Sequence, residues 1–340
     1  MATMRDVAAL ANVSAKTVSR VFNDDPHVLP ETRARVEAAL RQVSYVPNSL
    51  ARNFRAGRAP AVGIAVPSLA DPFFAAIVDA VDAEAKQHDL STVVTSLGDE
   101  PGREPEVVES LLSRQLGGLI LAPITADQRY LAPWLERVPT VFVDRPPAGV
   151  QADSFTEDNE EGGHLATAHL INHGHRRVAF LGDDPRTTTT AAGRLAGYAR
   201  ALAEHGIDFD QRLVVAHPAL PNQGSEALSD MMRKEAPTAI FSSNARTSIA
   251  LMPAIKRSNL AVVGFGDFSM ADMLTPSITV IEQDPALLGR LAAQRLVERI
   301  THPTRRMRRK TVLPVRLLER DSCASRLPSL ALQAPQVRAL

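Results

Sequence analysis

Lys16 and Arg20 stand four residues apart in the run AKTVSRVF, one helical turn, with Ala15 and Ser19 beside them. At that spacing an ammonium and a guanidinium can donate to guanine O6 and N7 or to phosphate, and the Ala15 methyl can meet thymine. Ser14, Thr17, Asn23 and Arg52 add donors of the kind that grip a sugar-phosphate backbone. The competing reading is a solvated charged face. A second group is Asp71-Pro72-Phe73-Phe74. Its carboxylate and rings suit a helix cap with core aromatics, a ligand wall, or both at once. Asp144 and Arg145 close an apolar run, and Asp158 and Asn159 lie at the expected crossover between two series of strands. Thr190 lies one turn before Arg194, and Asn244 follows a further apolar run. At each of these, turn formation or capping competes with ligand contact. His164, His169, His173 and His175 are crowded, but 164 and 169 fall on different helix faces, so all four read as ordinary helix and turn residues. No glycine-rich phosphate loop, nucleophile elbow or metal-spaced histidine cluster is visible. No catalytic residue, cofactor or metal is therefore expected, and the chain does not read as an enzyme.

The donors around Lys16 need a scaffold, and the first 60 residues suggest one. Val7, Ala8, Leu10 and Ala11 form a helical apolar stripe, with Thr3 and Asp6 as a capping-box-like start. Asn12 tolerates the left-handed turn that must follow. Ser14 then caps a second helix whose Val18, Val21 and Phe22 face the first. Residues 31–43 read as a third helix, with Pro30 in its first turn and Val36, Ala39, Leu40 and Val43 inward. This is a helix-turn-helix, which presents the N-terminus of its second helix to the major groove. Pro47 breaks the chain, and Asn48 can cap a short helix over residues 49–56 that Gly57 stops. Eight residues are too few for a helix stable alone in water, so this segment is expected to order only with a partner.

Charge follows the same division. The 340 residues carry 38 basic and 38 acidic side chains. Residues 1–58 hold nine Lys and Arg against five acids, a surplus of four, so the rest carries the opposite surplus. A basic head on an acidic body suits phosphate binding by the head. Cys323 is the single cysteine, which rules out an intrachain disulfide and fits a reducing cytoplasm. Arg5 and Asp6 interrupt any signal-like apolar run, and no stretch approaches 18 uninterrupted apolar residues, so neither export nor a membrane is expected.

From Ala61 the pattern changes to short β-rich runs alternating with helical ones. Strands are expected at Val62–Val66, Thr92–Thr95, Gly118–Leu121 and Thr140–Val143, with helices near 72–88, 103–115 and 128–136. A second series has strands near Ser154–Thr156, Arg177–Leu181, Leu213–Ala216, Ala239–Phe241 and Ala261–Gly264, with helices near 160–173, 188–205, 222–233 and 245–257. A strand at Ile278–Ile281, a helix at about 285–301 and a last strand at Thr311–Val315 complete it. Two such series predict two doubly wound parallel-sheet lobes, with ligands beyond the carboxyl ends of the strands where the lobes face each other. Asp71, Phe73 and Phe74 then face that cleft. Residues 305–310 form the densest basic cluster, read as a solvated turn before the last strand rather than a nucleic-acid patch.

The run VSAKTVSRVFN, the segment YVPNSLARNFRAGR, and the later VPSLADPFFAAIVDAVDAEA, GLILAP, VFVDRP, DNEEGGHLATAHLINHGHRRVAFLG, AAGRLAGYARAL and VVGFGDF together resemble the LacI/GalR family of bacterial transcription regulators. The likeness covers nearly the whole chain up to about Asp321. It implies a helix-turn-helix headpiece over 1–46, a hinge helix over 47–58 and an α/β effector-binding and dimerisation core of periplasmic-binding-protein-like type over 59–320. Within that core it implies an N-lobe of about 59–157 and 285–312 and a C-lobe of about 158–284 and 313–320, ahead of a tail over 321–340. It further implies that two hinge helices pack in the minor groove and that Asn48, Ala51, Arg52 and Phe54 contact DNA, with Phe54, where the family usually has Leu, as the wedge at the central base step. The alternative for Phe54 is packing on the body. Arg194 matches the family's ligand-holding arginine, and Asn244 and Asp267 stand at family ligand positions.

Two departures matter. Asn244 is followed by Ala245 instead of Asp, and Gly264-Phe265-Gly266-Asp267 has glycine at the first of two usual acids. A cleft short of two acids would leave Arg194 less neutralised and would favour an anionic or phosphorylated effector. The tail contains Pro328 and Pro335, which would interrupt a tetramer-forming zipper, so a homodimer is expected. The chain is thus expected to be a cytoplasmic, operator-binding regulator, most simply a repressor, associated with the nucleoid when bound. It would be controlled by a sugar, sugar derivative or other small metabolite. The rivals are control by a protein partner or by no effector, and a solute-binding protein without DNA function.

Overall fold

The computed structural model describes residues 4–22, 25, 27–42, 61–98, 100–216, 220–305 and 307–323. The expected hinge helix, the contacts expected of Thr3, Asn23, Asn48, Ala51, Arg52 and Phe54, and the tail from 324 lie outside the described residues. The chain forms two compact units, Met1–Ala59 and Pro60–Leu340.

The first unit is a three-helix head: α1 (Met4–Leu10), α2 (Ala15–Phe22) and α3 (Pro30–Gln42). Val7, Ala8, Ala11, Val18, Val21, Val36 and Ala39 make its core, each less than a tenth exposed. Leu10, expected inward, is 47% exposed; the stripe that packs is Val7, Ala8 and Ala11. Asn12 takes a left-handed φ of 50° at the turn, as a short amide side chain allows.

The second unit begins with β1 (Ala61–Val66), α4 (Pro72–Gln87), β2 (Ser91–Ser96), α5 (Glu104–Leu112), β3 (Gly118–Leu121), α6 (Ala132–Leu135), β4 (Thr140–Val143) and β5 (Asp153–Glu157). It continues with α7 (Asn159–Asn172), β6 (Val178–Gly182), α8 (Thr189–Glu204), β7 (Val214–Ala216), α9 (Leu220–Glu235), β8 (Ala239–Ser242), α10 (Ala245–Ile255), β9 (Ala261–Phe265) and β10 (Thr279–Glu282). The chain ends its described part with α11 (Pro285–Thr301), β11 (Lys310–Leu313) and β12 (Arg316–Leu318). Two six-stranded sheets result, ordered β11-β5-β4-β3-β1-β2 and β12-β10-β9-β8-β6-β7.

Strand alternation explains why both faces of each sheet are covered. Val62, Ile64 and Val66 pack with Phe74, Ile77 and Val81 of α4 and Leu288, Ala292 and Leu296 of α11. Ala65, Leu119, Leu121 and Phe142 pack on the other side with Val108, Leu111 and Leu112 of α5. In the second sheet Val178, Phe180, Phe241 and Val263 meet α7 and α8, while Ala179, Leu181, Ile240 and Val262 meet α9 and α10. Strands buried on both faces read as unbroken apolar runs, which is how these appear in the chain.

The chain passes between sheets three times: from β5 to α7, from β10 to α11, and from β11 to β12. The strand expected over 311–315 is divided at the last crossing. Thr311–Leu313 lie in β11, parallel to β5, and after Pro314 and Val315 the chain enters β12, antiparallel to β10. Proline has no N–H for a ladder, so the break falls there. Arg295 and Arg299 of α11 both reach the buried Asp153 of β5, with Arg299 Nε 2.6 Å from Oδ2, which fastens this crossover helix to the first sheet.

Candidate DNA-reading helix and interlobe cleft

In the head, the Ser14 hydroxyl accepts the Thr17 N–H at 3.1 Å and lies 2.8 Å from the Thr17 hydroxyl. Ser14 is thus the cap of α2, and its exposed position leaves it beside Ala15 and Lys16, both also exposed. The Arg20 side chain is 56% exposed, its Nε 3.6 Å from Asp25 Oδ2. Asp25 is held below the usual carboxylate range by the His27 backbone and side chain, with Arg20 adding attraction. An exposed pair of this kind is readily exchanged for a base or a phosphate. The helix backbone at Ser19 is described and continuous with that face.

A cavity of about 470 Å³ lies between the two sheets of the body. Asp71, Phe73, Phe74, Asp144, Thr190, Arg194, Asn244 and Asp267 all line it. They come from loops after the carboxyl ends of β1, β4, β8 and β9 and from the first turns of α8, where a doubly wound sheet offers its ligand site. Phe73 and Phe74 divide the two roles open to them. Phe74 is 6% exposed in the core, while Phe73 stands half-buried against it, edge to face at 5.2 Å. Asp71 is the N-cap of α4, accepting the Phe73 N–H at 3.0 Å, with Pro72 at the first helical position. Burial raises the Asp71 carboxyl against that hydrogen bond.

Arg194 sits at the centre. Its position depends on a close crossing of α7 and α8: a Cβ on Gly163 would fall 2.2 Å from the Arg194 carbonyl oxygen, and one on Gly197 would fall 2.0 Å from that of Glu160. Only glycine lets the two backbones approach so nearly. Arg194 Nε donates to Asn159 Oδ1 at 2.7 Å, Nη1 donates to the Ser243 carbonyl at 2.5 Å, and the guanidinium lies 3.8 Å over the Phe265 ring. Nη2 is the nitrogen left for a ligand. Burial pushes this arginine down, and Asp144, Glu157 and Asp183 oppose that shift. Asp158 caps α7 through Glu161 N–H, so Asp158 and Asn159 serve the crossover and the arginine rather than standing free.

Asp144 ends β4 in a left-handed conformation, φ 64°, and is 5% exposed. Its carboxyl is raised by burial, with Arg145 and Arg194 pulling it back. Arg145 Nε lies 3.3 Å from Asp144 Oδ2, and its Nη1 donates to the Pro123 carbonyl. Asn244 caps α10, accepting Thr247 N–H at 2.7 Å, while its Nδ2 is buried without a partner. Capping and a ligand-ready donor therefore coexist in one side chain. Asp267 is clamped by Arg320, with Nη1 to Oδ1 at 2.9 Å and Nη2 to Oδ2 at 2.7 Å. That bidentate pair holds the carboxyl below its usual range.

The expected shortage of acid is not found. Asp71, Asp144, Asp183, Asp267, Asp272 and Glu282 line the cavity against Arg145, Arg194, Arg246 and Arg320. The acids arrive from segments that no local comparison around Ala245 and Gly266 would count. Gly266 itself adopts φ 83°, and a Cβ there would lie 2.8 Å from Gln283 Oε1, so the turn disfavours the usual acid. Sequence reasoning missed Arg246, whose guanidinium lies 3.9 Å from Asp71 of one lobe and 3.5 Å from Asp183 of the other. It also missed Glu157, whose carboxylate accepts from Gln283 where two lobe crossings meet. Burial pushes Glu157 up to about 7. The one available signal was its place at a strand end next to Asp158.

Comparison with known proteins agrees with this geometry. Residues 3–48 match the model of the bacterial regulatory proteins of the lacI family, and residues 167–323 match that of the periplasmic binding protein-like domain. The ribose operon repressor of Escherichia coli (strain K12) is 32% identical over 331 residues, 95% of this chain and all of that one. A Lac repressor bound to ONPG in the repressed state superposes with a TM-score of 0.80 at 29% identity, covering 94% of this chain and 99% of that one. A complex of the transcriptional regulator CelR with cellobiose gives 0.68 at 30% identity, covering 95% and 100%. Among the described residues no helix is long and apolar enough to cross a membrane.

Proposed function

The chain belongs to the LacI family of bacterial regulatory proteins, and from that premise we propose how its residues divide the work of a dimeric, DNA-binding, effector-regulated transcription repressor. Ala15, Lys16, Ser19 and Arg20 read base edges in the major groove, and Ser14, Thr17, Thr3 and Asn23 hold the backbone beside them. Residues 49–56 of two subunits order together in the central minor groove, where Asn48, Ala51 and Arg52 contact DNA and Phe54 wedges the middle step. The protein works in the cytoplasm, on the nucleoid when bound to its operator.

The effector is a neutral, polyhydroxylated molecule of the sugar class. The observation that carries this is the charge balance of the cleft: a buried Arg194, already countered by Asp144, Glu157 and Asp183, retains one free nitrogen. An anion would meet a surplus of carboxylates, whereas hydroxyls can accept from Arg194 Nη2 and Asn244 Nδ2 and donate to Asp71 or Asp144. Phe73 gives an apolar face for a ring, and the volume falls within the range of small-molecule sites. The ribose operon repressor and the cellobiose complex among its relatives support the class. The effector acts by changing the lobes' rotation and with it hinge ordering; a coupling of about 1–3 kcal/mol changes operator affinity roughly 5–150-fold.

Calorimetric titration of the full chain with pentoses, hexoses and disaccharides, their phosphate esters, and purines tests the assignment. Neutral sugars should bind and shift operator affinity, with Arg194→Met removing both. Saturable binding by phosphate esters or purines alone would overturn it.

A further inference from the structure

Away from the cleft, α7 and the exit of β12 bring together three side chains that have no part in the mechanism above. His169 and His173 lie one turn apart on the same face of α7 and its C-cap, their rings 4.4 Å between centroids. Glu319 follows β12. One nitrogen from each histidine and a carboxylate oxygen of Glu319 lie within 4.8 Å of one another. The cluster sits at the C-terminal end of α7, roughly 20 Å of helix from the end that opens on the cleft.

We propose that His169, His173 and Glu319 form a binding site for a divalent transition metal of the zinc class. Two imidazoles and a carboxylate are the borderline donors that such ions take, and three protein ligands leave one coordination position open. The rings are prepared for the task. His173 Nδ1 lies 2.9 Å from the His169 carbonyl oxygen, which can only accept. The proton therefore resides on Nδ1, which leaves the Nε2 lone pair for a metal, the tautomer that a backbone carbonyl commonly imposes on a metal-bound histidine. His169 Nε2 is buried with no hydrogen-bond partner. A buried imidazole nitrogen without a partner is costly, and a metal ion supplies one. Tetrahedral bonds of zinc length place donor atoms about 3.3 Å apart, so closure asks the partly exposed side chains to move by about 1 Å. A bound ion would fasten the last turn of α7 to the strand exit, both in the same lobe.

Zinc titration of the chelator-treated full chain by calorimetry, and optical spectra with Co²⁺, decide the matter. One Zn²⁺ per chain should bind, Co²⁺ should give the absorption bands of a low-coordinate site, and saturating zinc should raise Tm by about 3 °C or more. His173→Gln and Glu319→Gln, both at exposed positions, should each weaken zinc binding by about 10-fold or more and lose the Co²⁺ bands. His302→Gln, an exposed histidine elsewhere, should change none of these. Equal zinc affinity in the two cluster variants, or no saturable binding below about 0.1 mM, would overturn the site.

Discussion

The α2 helix and the interlobe cleft both depend on arginine, yet they hold it in opposite ways. Arg20 is more than half exposed, beside a single acid of its own head. Arg194 is 6% exposed, bound through two nitrogens, stacked on Phe265 and balanced by three carboxylates. An exposed cation keeps its hydration until a phosphate or base edge replaces it, which suits a polyanion whose binding releases counterions. A buried one has lost its water at folding, so its surroundings must neutralise it before any ligand arrives. The difference teaches that the same residue type can be kept hydrated and exchangeable in one place and be fixed and neutralised in the other.

If that contrast holds, removing Arg194 should harm the fold and removing Arg20 should not. Arg194→Met leaves Asp144 and Glu157 buried without their cation and should cost about 3–5 kcal/mol of body stability. Denaturant unfolding would show it, and a loss under about 1 kcal/mol would mean the cleft charges are better solvated than their burial implies.

Glu157 sharpens the comparison by pH. Its folded value, about 7, lies above the ordinary 4.5. Between those values the folded state holds a proton that the unfolded state has released. Its contribution to stability is therefore full below pH 4.5 and declines as pH rises through 7, by about 3 kcal/mol at most. Comparing the wild type with Glu157→Gln in unfolding experiments from pH 4.5 to 8 should show this slope vanish in the variant. Parallel curves would refute the assignment.

Arg20→Ala should leave unfolding unchanged and cost about 1–3 kcal/mol of discrimination between operator and random DNA. Residual binding should stay strongly salt-dependent, because the remaining cations still displace counterions. Unaltered discrimination in competition binding would remove Arg20 from the reading face. The smallest effect is expected at Ser14→Ala, which deletes the α2 cap and should lower head stability by about 1 kcal/mol, read from the thermal unfolding of the head.

Much of the fold was visible in residue order. Gly118–Leu121, Thr140–Val143 and the helix 285–301 occupy their expected ranges, because unbroken apolar runs and a proline at a helix start are local signals. The strand over 311–315 was not so legible. A β run spells out its propensity but not which of two sheets it joins, and here Pro314 marks a change of partner. Leu10 failed for a related reason: periodicity gives a stripe, and the packing of α3 chooses which part of the stripe is covered.

The cleft shows the same limit in its charges. Asp71, Phe73, Asp144, Thr190 and Asn244 stand near strand ends and helix starts, and the family resemblance indicated Arg194. Glu157 and Asp183, which join Asp144 in balancing Arg194, the Arg320 clamp on Asp267 and the Arg246 bridge between lobes could not be read there. Nor could the meeting of His169 and His173 with Glu319, some 150 residues away.

By itself the order of residues determined the helix-turn-helix, the alternation of strands and helices, and which strand ends would open on a ligand. Those follow from short-range sterics, capping and periodicity, which act within a few residues. Only the tertiary structure decided how many charges share the cleft, which groups occupy each arginine, and where glycine lets two helices touch. Electrostatic and packing energies depend on distance in space and on burial, and the chain brings residues from 71 to 320 into one cavity.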